Sequence, residues 1–192
     1  MENTMPPKVK ITKEKIIQTA TELVRQSGEQ AINARSIAMA LGCSTQPVFS
    51  NFPTMEDLKQ AVIASAFAIC NDYLEREKTS GLYPPYKASG MAYIRFAKEE
   101  KELFKLLYMR DRSEDAIRKE DILFDQMTEM AQQNIDLNYD KAKRFHLEVW
   151  AFVHGIATMF ATQYVDLDWE LVSTMVTDAY QGLKKQYKGE MI

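Results

Sequence analysis

The chain has 192 residues, 46% hydrophobic and 27% charged, enough to bury a substantial core in one large or two small domains. With seven Gly, six Pro and no Asn-Gly or Asp-Gly dipeptide, it lacks the hairpin signals of an all-β fold. A net charge of −3 excludes a whole-chain basic signature for nucleic acid, although residues 1–51 hold six basic and four acidic side chains, a local excess of +2 that permits phosphate contact at that end.

Residues 1–11 read as a flexible polar arm carrying Lys8 and Lys10. Thr12 is a good N-cap for a first helix, in which Ile16, Ala20, Leu23 and Val24 share a face and which Gly28 stops. Asn33 caps a short second helix bearing Ile37, Ala38 and Leu41, and Gly42 ends it. Ser44 is the expected cap of a third short helix, with Pro47 in its first turn and Val48, Phe49 and Phe52 following. Pro53 breaks the chain, and Thr54 caps a long fourth helix that runs to about Lys78, with Glu56 and Asp57 suiting the dipole of its first turn. The stretch TSGLYPP, 79–85, reads as a linker. Helical patterns follow over 85–98, 100–110, 113–134, 139–164 and 168–187. Apolar stripes mark the last two: Phe145, Val149, Phe152, Ile156 and Phe160, then Val172, Met175, Val176, Ala179 and Leu183. Two striped helices at one end fit a bundle or a dimer seam, and tight packing within one protomer explains the same stripes.

Eleven Met fit an irregular core better than an adaptable binding surface. Two cysteines, Cys43 and Cys70, are too few and too far apart for a zinc knuckle or a disulfide framework, which fits a reducing compartment. No apolar run reaches the ~18 residues that span a membrane, and the polar start has no signal core, so a cytoplasmic location is expected.

The most informative run is ARSIAMALGCSTQPVFSNF, residues 34–52. Ala38 is small where two helices would cross, Gly42 tolerates positive φ in the turn, and Ile37, Leu41, Cys43 and Val48 would lock both helices onto the first. Those offsets suit a helix-turn-helix, whose second helix fits the major groove. They also fit an ordinary pair of short helices in an all-α protein.

Residues 12–60 as a whole resemble the DNA-binding domain of the tetracycline-repressor (TetR) family: the first helix, the Gly28 stop, the paired helices and the start of a long connecting helix all match its pattern. Trp150-Ala-Phe-Val-His154-Gly155, with Tyr93-Ile-Arg-Phe-Ala97 and Leu103-Phe104 before it, resembles a C-terminal subgroup with a Trp…His-Gly signature. The resemblance implies an all-α fold: a three-helix helix-turn-helix domain at 12–53 and a helical ligand-binding and dimerisation domain at 54–192. It further implies a homodimer on a palindromic double-stranded DNA operator, usually as a repressor, released when a small effector binds the C-terminal domain. No cofactor is implied.

On that basis Thr45, Gln46 and Ser50 are candidates for base contact, Gln46 being able to read adenine bidentately, and Arg35 for guanine or phosphate. Thr12, Lys13, Ser44, Pro47 and Lys59 join them at the DNA face. Ordinary solvated residues, or a surface salt bridge for Arg35, are the plain alternatives. Phe49 stands where the family usually has tyrosine, Asn51 where it often has histidine and Met55 where it often has lysine, so each position loses a phosphate partner. Tyr93, Phe96, Phe104, Leu107, Tyr108, Met127, Met130, Trp150 and His154 fit the lining of a largely apolar effector cavity, or simply core. Phe152, Ile156, Met175, Val176 and Ala179 are the expected dimer seam. His146 and His154 lie on a similar face but lack further ligands for a metal, so none is expected. Gly155 suggests close helix packing. A helical enzyme finds no catalytic constellation here, and a helical protein-interaction module remains the other alternative.

Overall fold

The computed structural model describes residues 11–111 and 119–189, with side chains omitted over 119–122. The arm residues Lys8 and Lys10, and the start of the helix expected from 113, lie outside the described residues. Among the described residues the secondary structure is helical throughout: α1 (Lys13–Ser27), a 3₁₀ turn (Glu29–Ala31), α2 (Ala34–Ala40), α3 (Gln46–Asn51), α4 (Met55–Ser80), α5 (Pro85–Glu99), α6 (Lys101–Tyr108), α7 (Lys119–Ile135), α8 (Tyr139–Ala161) and α9 (Trp169–Lys188). The all-α expectation holds, with a helix-turn-helix in the N-terminal part and a helical C-terminal part.

Two compact units divide the chain, residues 1–68 and 69–192, and the division falls within α4. In the first, local side-chain chemistry sets the helix starts. The Thr12 hydroxyl accepts from the Lys15 amide at 3.2 Å, and Asn33 Oδ1 accepts from the Ser36 amide at 2.9 Å. Thr54 and Asp57 cap α4 reciprocally: Thr54 Oγ1 accepts from the Asp57 amide while Asp57 Oδ2 accepts from the Thr54 amide. Ile16, Ala20, Val24, Ile37, Ala38, Val48, Phe52, Leu58 and Val62 form the core. Leu41 and Cys43 are half-buried at its edge. The cap of α3 is Thr45, one residue later than Ser44, and Pro47 is its second residue, where a missing N–H costs nothing.

In the second unit α8 is central, packing against α5, α6, α7 and α9. Gly90 on α5 faces α8 closely enough that a methyl there would sit 3.4 Å from Val153. Gly155, the glycine expected to serve close packing, instead opens to empty space within the protomer.

Candidate functional site

In the first unit α2 and α3 meet through a turn in which Gly42 adopts φ +64°, the left-handed region that glycine enters freely. The Gly42 amide donates to the Met39 carbonyl at 3.1 Å and the Cys43 amide to the Ala38 carbonyl at 3.0 Å, closing α2. Val48 then turns into the core, so the opposite side of α3 faces solvent. Ser44, Thr45, Gln46, Phe49 and Ser50 are exposed there, Phe49 by 53%, and Pro47 and Asn51 are half-buried. Two of these side chains turn back on their own helix. Ser50 Oγ donates to the Gln46 carbonyl and Asn51 Nδ2 to the Pro47 carbonyl, both at 2.8 Å. Thr45 and Gln46, by contrast, stand at the exposed start of α3.

Around that helix, Arg35 is exposed at the second position of α2. Thr12 and Lys13 are exposed at the start of α1, with the Lys13 ammonium 5.1 Å from the centroid of the Phe52 ring. Lys59 is engaged elsewhere, forming a 2.6 Å ion pair with Glu29 that competes with any phosphate.

The second unit gathers aromatic side chains between α5, α6 and α8. The Tyr93 hydroxyl bonds His154 Nδ1 at 2.9 Å. Trp150 stacks on His154, with ring centroids 4.9 Å apart and planes at 18°. Phe104 packs against Tyr93, Tyr108, His154 and Phe96. Ring contacts thus join Tyr93, Phe96, Phe104, Tyr108, Trp150 and His154. Leu107 is buried on α6, Met127 is buried on α7 and Met130 is half-buried there. Burial holds His154 below the usual histidine range.

Sequence reading missed a second pair of the same kind. The Tyr86 hydroxyl bonds His146 Nδ1 at 2.8 Å, and the Phe124 ring lies against His146. The signal was available in the matched spacings of Tyr86 and Tyr93 on one helix and His146 and His154 on another.

Of the expected seam residues, Ile156 and Val176 are buried within the protomer itself, Met175 and Ala179 are half-buried, and Phe152 is exposed. The apolar side chains that α8 and α9 leave outward include Leu147, Trp150 and Leu171, and Gly155 is exposed beside them. Among the described residues no group of His, Cys, Asp and Glu is placed to hold a metal ion, and no helix is long and apolar enough to cross a membrane.

Residues 86–179 match the family model described as tetracyclin repressor-like, C-terminal domain. The chain belongs to the TetR family. Membership places it among transcriptional regulators. Among solved structures, a TetR-like transcriptional regulator from Rhodococcus sp. RHA1 shares the fold, with a TM-score of 0.63 over 95% of this chain and 96% of that one at 13% identity. No curated protein matches the sequence.

Proposed function

We propose that this TetR-family chain is a homodimeric, cytoplasmic DNA-binding repressor. Two copies of α3 read the half-sites of a palindromic operator, and a small, largely apolar effector releases them. The observation that carries the reading is the two-sidedness of α3: Val48 anchors it in a dry core while Thr45, Gln46 and Phe49 face outward. A short polar-tipped helix held in this way suits the major groove. Gln46 is the proposed base reader, with Thr45 and Ser50 beside it. Thr12, Lys13, Arg35 and Ser44 are proposed to position the domain on the backbone, with Pro47, Phe49 and Asn51 at the same DNA face. Ser50 and Asn51 would first exchange their intrahelical bonds for DNA. Lys59 has a lesser part because Glu29 already holds it.

The reading domain corresponds to residues 12–53 and the sensing and dimerising domain to 54–192, of the Trp-His-Gly subgroup. The ring cluster around Tyr93 and His154 supports the effector site: an apolar wall with a single polar pair suits a ligand with one hydrogen-bonding end. The outward Leu147, Trp150 and Leu171, together with half-buried Met175 and Ala179, support the seam.

Fluorescence anisotropy with the chain's own promoter region and with unrelated DNA, at low and moderate salt, tests the reading. The expected result is tighter, salt-sensitive binding to the promoter. Equal affinity for both DNAs at low salt would end it.

A further inference from the structure

Single apolar side chains reach solvent in most folded chains, and their place decides what they mean. Among the described residues of the first unit, the large apolar side chains exposed to solvent are Met39 and Phe49, and both belong to the helix-turn-helix. Phe49 stands on α3, three residues after Gln46. Three helical residues put two side chains about 60° apart round the axis and about 4.5 Å apart along it. The neighbours on α3 are otherwise occupied: Val48 is in the core, and Ser50 and Asn51 bond the carbonyls of Gln46 and Pro47. The outward face of α3 therefore sets an amide beside a phenyl ring.

A phenyl ring donates no hydrogen bond to a phosphate and gains by leaving water. In the major groove the base pairs present hydrogen-bonding groups, and the apolar exception is the C5 methyl of thymine. Stacked pairs are about 3.4 Å apart, so a helix lying along the groove carries the ring to a pair next to the one that Gln46 reads.

Resting on the reading of α3 as the DNA-reading helix, we propose that Phe49 is a specificity-determining residue that covers one thymine methyl in each half-site. Gln46 then recognises the donors and acceptors of one base pair, and Phe49 recognises the apolar group of its neighbour. The ring gains from thymine what it cannot gain from cytosine or uracil, which carry only hydrogen at that carbon.

Replacing thymine by uracil removes the methyl and leaves base pairing unchanged, which isolates the contact. The test follows fluorescence anisotropy of the full chain on its own promoter fragment, synthesised with thymine or with uracil throughout, and on unrelated thymine DNA, all at one salt concentration. Burying a methyl group is worth about fourfold in affinity. The wild-type chain is expected to bind the thymine fragment at least about fourfold more tightly than the uracil fragment, and Phe49→Ala to reduce that ratio at least about twofold. The ring is exposed, so the variant keeps the fold, which circular dichroism checks. A smaller wild-type ratio overturns the inference. So does a ratio that Phe49→Ala leaves within about twofold of the wild-type value, the result expected of a ring packed on the DNA backbone. In either case, a promoter fragment bound better than unrelated DNA leaves DNA reading standing. A promoter fragment bound no better than unrelated DNA ends that reading, and this inference with it.

Discussion

His146 is 7% exposed, and burial pushes its ring down to about 4. An unfolded chain takes up that proton near pH ~6.5, whereas the folded chain resists until about pH 4. The stability this group contributes is therefore complete above pH ~6.5 and is lost as the pH falls through that window, by roughly 3 kcal/mol in all. Urea unfolding at about pH 7 and about pH 4.5 should register the loss, and His146→Phe should flatten it; an undiminished loss in the variant would assign the titration to another group. At the proposed DNA face, two residues should fail differently. Gln46→Ala is expected to relax preference at one base pair per half-site, by about 1–3 kcal/mol of discrimination. Lys13→Ala should weaken all sequences alike and reduce the salt slope by about one. Binding titrations against single-base operator variants distinguish these patterns, and the opposite assignment would mean that reader and anchor are exchanged.

At the scale of elements, Gly42 holds the turn between α2 and α3 at φ +64°, with nothing near the position of a Cβ. Gly42→Ala should thus cost about 1 kcal/mol through the backbone alone, read as a lower melting temperature without a new steric clash. Elements of this kind were the legible ones. The Thr12 and Asn33 caps and the Gly42 turn depend on a side chain and an amide three residues away, or on one residue's own φ. The 3₁₀ turn at Glu29–Ala31 was not legible, because three residues carry no period to detect. Nor was the start of α3 at Thr45 instead of Ser44, since both residue types suit a cap and Thr45 takes the position without a side-chain cap bond that its sequence could have signalled. On α8 the difficulty was of another kind. Leu147, Val149, Trp150, Phe152, Val153 and Ile156 spread over more than half of the helix circumference. Periodicity then finds a helix without saying which stripe faces inward, and Ile156 lies inside while Leu147 and Trp150 do not. The aromatic candidates Tyr93, Phe104, Trp150 and His154 come together all the same, through ring contacts among α5, α6 and α8.

For the whole molecule, the proposed dimer predicts that Leu147→Glu combined with Leu171→Glu leaves each protomer folded, since both side chains are exposed, yet shifts the chain to a monomer in analytical ultracentrifugation and weakens binding to a palindrome more than to a single half-site. A double variant that remains dimeric would place the seam elsewhere. The two tyrosine–histidine pairs bear on movement. Tyr86 meets His146 and Tyr93 meets His154, so the pairings ascend together along α5 and α8 and the two helices run in the same direction. Sliding one helix past the other by a turn, about 5.4 Å, would break both bonds at once and offer neither ring its former partner. A pivot about either pair would cost only one. A full-turn piston stroke therefore costs both bonds, about 2 kcal/mol, and a tilt about one pair costs half of that, which makes the tilt the cheaper movement for a signal crossing this bundle.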